Sequence, residues 1–369
     1  MNSTIYVNRL HAVQAEMNLL HLDALIVSDP QSIWYLTGIW NEPYERMYVL
    51  YIHTKAPLIL FANKLFNIPK TDFQIIWYSD ADNATEILSK HIKTSCTTGI
   101  DKLWPARFLL PLMSFCPTIH FKLGSDCVDK VRACKDAKEQ LLMKEASHIN
   151  DICIQKGFDF IRRGITEKEV AQYIDAQFVQ EGADGPSFET IVSFGANAAD
   201  PHHEPDNTTV KEDDCILIDM GCKKNHYCSD MTRTNFFHTA EKLSSKMNLH
   251  TAIHDIVRTA NEKAEAMICP GVRLCDIDKT ARDIISAAGY GDYFTHRLGH
   301  FIGQSDHEQG DVSSANSACV KEGMIFSIEP GIYLPGDFGV RIEDLVLVTK
   351  DGCEPLNHVD KKWKLISKK

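Results

Sequence analysis

The chain has 369 residues, 44% of them hydrophobic and 24% charged, with a formal net charge of −11. That length leaves room for two domains, and that composition is an ordinary globular one with enough core to need no disulfide staples. The acidic balance argues against a nucleic-acid partner or an anionic membrane surface, both of which call for a basic face.

The first stretch, "IYVNRLHAVQAEMNLLH", has helical periodicity, with Leu10, Val13, Met17 and Leu20 on one face. The N-terminus lacks the basic, apolar and cleavage segments of a signal peptide. No apolar run approaches the ~18 residues of a membrane helix. The cysteines are scattered without a CxxC pair, and Cys215, Cys222 and Cys228 lack zinc-site spacing. Reduced, buried thiols in a cytoplasmic protein are the expectation.

"DALIVSD" (23–29), "MYVLYI" and "PLILFA" read as short buried strands. Alternation of helix and strand predicts a small α/β domain over 1–125. From Asp126 the chain becomes charged, and from Ala137 it carries an apolar stripe at Leu142, Ala146, Ile149 and Cys153. This predicts one long helix over 126–161, opening a second domain, 126–369.

The second domain holds a faint repeat: "IRRGITEKEV" (161–170) aligns with "ICPGVRLCDI" (268–277), an offset of 107 (268 − 161). Thr166 and Glu169 form a capping box, and Val170, Ile174 and Phe178 give the following helix its inner face. In the second copy Pro270–Gly271 breaks one helix, and Ile277, Ala281 and Ile284/Ile285 pattern the next. Two related halves would place a site between them.

Acids occur where a core belongs. In "CILIDMGCKKNHYCSDMTRTNFF" (215–237), Asp219 follows a buried-strand pattern, "CKKN" reads as a hairpin turn, and the return strand carries Asp230. Carboxylates there are costly to desolvate and raise each other's pKa. Either one pairs with Arg233 or both hold a cation. Glu329 ends the apolar strand of "GMIFSIEPGIY", and Glu343 sits in the β-branched run "GVRIEDLVLVT", aligned with Arg341 and Leu345. "HRLGHFIGQSDHE" adds His296, His300 and His307. Four carboxylates with a histidine suit paired Mn²⁺, Co²⁺ or Zn²⁺, and the residues alone read as a dimetal hydrolase.

These residues, in this order, resemble the pita-bread metallopeptidases, specifically the Xaa-Pro dipeptidase (prolidase) and Xaa-Pro aminopeptidase group. The resemblance runs over nearly the whole chain, from "YLTGI" through "VRACKDAKEQLLMKEA" to "RIEDLVLVTKDG", with Asp219 and Asp230 eleven residues apart (230 − 219) and Glu329 and Glu343 fourteen (343 − 329). It implies that Asp219, Asp230, His300, Glu329 and Glu343 bind two divalent metal ions, with manganese first in expectation. It gives Glu329 the proton of the attacking water and His307 the oxyanion. It makes His202, in "GANAADPHHEP", a substrate-binding histidine and sets His296 in the proline pocket. Tyr333 and Arg341 align with supporting or substrate-contacting positions.

The expected substrate is a proline-containing dipeptide, with longer peptides or a non-catalytic peptide-binding role as alternatives, and the expected assembly is a homodimer. A methionine aminopeptidase resembles only the C-terminal half, and a creatinase-like enzyme lacks the five metal ligands. Some residues carry blander readings: His203 as a bystander, His226 and His238 as ordinary strand residues, Glu308 as an orienting partner of His307. Phe301, Gln304–Ser305–Asp306 and Asp200 depart from the family pattern, and bear on pocket size and polarity rather than on hydrolysis.

Overall fold

The computed structural model describes residues 3–93, 96–240 and 242–367. The chain divides into two units, Met1–Arg132 and Ala133–Lys369. The division falls seven residues past Asp126 (133 − 126) because the short helix Asp126–Ala133 packs into the first unit, where Cys127 and Val128 join its core.

The first unit is built on a six-stranded mixed sheet. Its central strand, Ala24–Val27, is buried along its whole length, as an uninterrupted apolar run demands. It pairs antiparallel with Val49–His53 and parallel with Thr97–Ile100. The helix Ser3–Leu19 buries Val13 and Met17 completely.

The single long helix expected over 126–161 is two helices, Asp126–Ala133 and Ala137–Phe160. Between them Cys134 bridges Met324, and the Lys135 N–H donates to the Gly323 carbonyl at 2.7 Å. Asp136 then caps the second helix in a reciprocal box with Glu139.

The second unit has two halves. The helices Ala137–Phe160 and Glu167–Gln180 accompany a four-stranded sheet ordered Leu365–Ile366, Met231–Phe237, Cys215–Met220, Ile191–Phe194. The helices Ser245–Glu265 and Leu274–Ala287 accompany a five-stranded sheet ordered Glu308–Val312, Gly299–Phe301, Ile325–Ile328, Asp344–Val348, Cys353–Pro355. Val170, Ile174, Phe178 and Ile218 belong to one apolar cluster. Ile277, Ala281, Ile285 and Phe326 belong to another, which also takes in Leu217 and Phe236 from the first sheet.

The repeat is visible in the backbone. Gly164 and Gly271 both adopt positive φ, +81° and +93°, a conformation glycine reaches without a Cβ clash. Thr166 bridges Thr209, and Arg273 bridges Cys319. Both pairs of positions are 107 apart (271 − 164; 273 − 166). Among the described residues no helix is long and apolar enough to cross a membrane.

Candidate metal centre and active site

The strand Cys215–Met220 carries Asp219 and pairs antiparallel with Met231–Phe237, whose preceding residue is Asp230. Between them Asn225 and His226, with φ of +48° and +71°, form the turn that joins Lys224 to Tyr227. The turn, Lys224 to Tyr227, therefore lies two residues later than "CKKN" (224 − 222), and His226 is a turn residue rather than a strand residue. His238 lies just past the strand Met231–Phe237, its Nδ1 2.7 Å from Asp213 and its Nε2 3.0 Å from the Lys242 carbonyl. From the other half come His300 on Gly299–Phe301, Glu329 directly after Ile325–Ile328, and Glu343 directly before Asp344–Val348. Glu343 sits in a break between strands rather than within one, and its N–H donates to the Thr232 carbonyl across the halves.

The elements meet around a cavity of about 670 Å³ lined by Asp219, Asp230, His296, His300, His307, Glu329, Arg341, Glu343, Pro201 and His202, among others. The ligand atoms of Asp230, His300 and Glu343 all lie within 4.8 Å of one another, and all three residues are buried. His300 Nε2 is 3.4 Å from Asp230 Oδ2 and 3.6 Å from Glu329 Oε1. The other ring nitrogen, Nδ1, faces the Phe301 carbonyl at 3.2 Å, a contact that requires the proton on Nδ1. The Nε2 lone pair then confronts two carboxylate oxygens, an arrangement that needs a proton or metal ion between them.

Arg233 does not answer the acids. It pairs with Asp344 at 2.6 Å and donates to the Glu343 carbonyl at 2.7 Å. Arg341 answers Asp219 instead, at 2.6 Å, and its other nitrogens donate to the hydroxyls of Thr232 (3.0 Å) and Tyr333 (2.9 Å). Thr232 in turn donates to Glu343 Oε2 at 2.7 Å. One arginine still leaves Asp219 Oδ1, Asp230 Oδ1 and Glu343 Oε1 buried with no hydrogen-bond partner among the described residues. Orphaned, desolvated carboxylate oxygens are expensive. An oxygen-rich donor set with one imidazole fits hard or borderline divalent cations.

Without a cation, burial and then the charges of neighbouring acids push Asp230 and Glu343 well above the usual carboxylate range. Burial acts the same way on Glu329, but His300, His296 and Arg341 outweigh it and leave its pKa below the ordinary value. Glu329 is therefore ionised, and Ser327 donates to its Oε1 at 3.1 Å.

The flanking histidines have defined proton positions. His296 Nδ1 faces the Arg297 carbonyl at 2.7 Å, so it carries the proton, and Nε2 accepts from the Tyr333 hydroxyl at 2.9 Å. Tyr333 stands behind His296 and Arg341, is absent from the cavity lining, and has its pKa pushed up to about 12 by burial. For His307 the logic reverses: Arg297 donates to Nδ1 at 3.1 Å, which puts the proton on Nε2. Burial first, and then neighbouring His300, lower the His307 pKa. The ring stacks on His300 with centroids 3.9 Å apart.

The departures resolve locally. Phe301 packs against Phe326 in the core and does not line the cavity. Gln304 is buried beside Tyr227, while Asp306 lines the cavity and adds a carboxylate to it. Asp200 accepts the His202 N–H at 3.0 Å. Glu308 pairs with the buried Lys135 at 3.1 Å. Thr232 and Arg297 were missed from sequence. Thr232 lies two residues after Asp230 on an extended chain, so period-two alternation could have put it on the same face.

Residues 141–350 match the model of metallopeptidase family M24, and residues 9–134 match the creatinase/prolidase N-terminal domain. An uncharacterized peptidase of Staphylococcus haemolyticus is 36% identical over 369 residues, covering 96% of this chain and 100% of that one. Among solved structures, a prolidase from Thermococcus sibiricus has a TM-score of 0.88 at 32% identity, covering 98% of this chain and 99% of that one. An Xaa-Pro dipeptidase from Bacillus anthracis has a TM-score of 0.86 at 25% identity, covering 98% and 99%. An acid-lined cavity between two related halves, in a chain matched from end to end, has one reading: the chain belongs to metallopeptidase family M24, with the pita-bread fold, and is a metal-dependent peptidase.

Proposed function

We propose that this peptidase cleaves the bond before proline in Xaa-Pro dipeptides, with two divalent cations, manganese in the native enzyme, held by Asp219, Asp230, His300, Glu329 and Glu343. The observation that carries the metal assignment is the three buried carboxylate oxygens in the cavity, on Asp219, Asp230 and Glu343, that have no hydrogen-bond partner among the described residues. The substrate assignment is supported by similarity to a prolidase and an Xaa-Pro dipeptidase across 98% of the chain. We place the enzyme in the cytoplasm as a homodimer, with no nucleic-acid or membrane partner, on the family resemblance and the net charge of −11.

When bound, such cations polarise a carbonyl and make a water acidic enough to attack at neutral pH. Glu329, ionised and oriented by Ser327, accepts the proton of the attacking water. His307 turns its protonated Nε2 away from Arg297 and donates to the oxygen that gains charge as the carbonyl becomes tetrahedral. Both nitrogens of His296 are engaged within the protein, so it offers the substrate a ring face, which suits a pyrrolidine. Arg341 holds Asp219 in place, and Tyr333 braces Arg341 and His296. His202, which lines the cavity, contacts the substrate.

The test is hydrolysis of Ala-Pro and Ala-Pro-Ala by metal-stripped enzyme, before and after Mn²⁺ is added. Activity should vanish with chelation, return with Mn²⁺ and favour the dipeptide, and Asp230→Asn should lose it by about a hundredfold or more. Activity that survives chelation overturns the metal assignment. Equal cleavage of the tripeptide overturns the dipeptidase assignment.

A further inference from the structure

Glu167 opens the helix Glu167–Gln180, its side chain is wholly buried, and the reaction just described does not use it. Its Oε1 accepts the Phe194 N–H at 2.7 Å and the Asn197 amide at 3.0 Å. Its Oε2 accepts the Asp206 N–H at 3.1 Å and faces His203 Nε2 at 2.8 Å. A carboxylate offers about four acceptor positions. All are occupied, so Glu167, His203 and Asp206 form a hydrogen-bond knot, with no lone pair left for a cation.

The helix terminus adds two more ties. The Glu167 N–H donates to the Thr208 carbonyl and the Lys168 N–H to the Asp206 carbonyl, both at 3.1 Å. These are first-turn N–H groups with no partner inside the helix. Every partner lies on one arm of chain, 194–208, which runs from the last residue of the strand Ile191–Phe194 towards Cys215–Met220.

The same arm carries Pro201 and His202 to the cavity. The Pro201 carbonyl accepts from Arg341 at 3.4 Å. The His202 ring makes no hydrogen bond of its own among the described residues; only its backbone is held, by Asp200. Its place is therefore set by the arm, and the arm's deepest anchor is Glu167.

We infer that Glu167 is a positioning residue for substrate recognition, acting through His203 and the arm's backbone to set where His202 meets the substrate. The inference rests on the proposed role of His202 and adds the device that places it. His203, next to His202 in the chain, becomes the link rather than a bystander.

A double-mutant cycle on metal-loaded enzyme tests this, with Ala-Pro as substrate and variants Glu167→Gln, His202→Ala and both together. Glutamine turns one oxygen into an amino group facing two donors. Glu167→Gln should raise KM about tenfold with a smaller change in kcat, and leave calorimetric Mn²⁺ affinity unchanged. In the His202→Ala background the same change should cost less than about twofold. His203→Phe should reproduce the rise in KM and His203→Gln, which keeps an N–H donor, should restore it. If Glu167→Gln does not fold, His203→Phe takes its place in the cycle. Additive losses overturn the inference while leaving His202 in its role, and so does a fall in melting temperature with KM unchanged. If His202→Ala leaves the kinetics untouched, the reading of His202 fails and the inference fails with it.

Discussion

Thr232 has a single hydroxyl with two duties: it donates to Glu343 Oε2 at 2.7 Å and accepts from Arg341 at 3.0 Å. It thereby ties an acid of the proposed ligand set to the arginine that holds another. Groups that orient metal ligands typically matter by 10–100-fold in affinity. Thr232→Val, which keeps the shape and removes both bonds, should weaken Mn²⁺ binding by about that factor in a calorimetric titration, and Thr232→Ser should recover most of it. Unchanged affinity in the valine variant would separate Thr232 from the metal centre. The acids themselves were legible in the sequence because a carboxylate inside an apolar strand has few inexpensive explanations. Thr232 was not, because threonine is ordinary in a strand and its partner Glu343 lies 111 residues on (343 − 232). Glu167 was hidden differently: an acid in the first turn of a capped helix already has a sufficient local reason to be there.

On the helix Ser245–Glu265, His250 and His254 are almost completely buried. His250 stacks on Phe338 with centroids 3.8 Å apart, and both rings lie near Phe236. Burial lowers each imidazole from 6.5 to about 4. A histidine that must stay neutral when folded contributes its full stability above about pH 6.5. That contribution is lost as pH falls from there towards 4, because the unfolded chain takes up the proton first. Each imidazole is worth roughly 3 kcal/mol at most. Denaturant midpoints should therefore fall between pH 7 and pH 5, and His250→Leu should flatten part of that fall; an unaltered slope would mean that His250 is not responsible. Helix faces such as Val170, Ile174 and Phe178 could be seen from periodicity, since local spacing determines them. The break between Asp126–Ala133 and Ala137–Phe160 could not, because the segment that interrupts the helix, at Gly323–Met324, is nearly 190 residues away (323 − 135 = 188).

At the scale of the whole chain, the proposed metal centre joins two halves that a weak ten-residue similarity had already suggested. Cations that bind only the folded chain stabilise it by mass action. The melting temperature of stripped enzyme should climb by roughly 3 °C for each tenfold rise in Mn²⁺. A flat response would mean that the orphaned oxygens of Asp219, Asp230 and Glu343 are satisfied in some other way. The proposed ligands are shared two to three: Asp219 and Asp230 come from the first half, His300, Glu329 and Glu343 from the second, and Arg341 reaches back across 122 residues to Asp219 (341 − 219). Severing the peptide between Phe237 and Ser245 would strand two carboxylates on one fragment and two carboxylates with the histidine on the other. Neither piece would own a complete coordination sphere. Affinity for manganese would become a gauge of whether the pieces had found each other, and catalysis would demand their proximity rather than their covalent continuity.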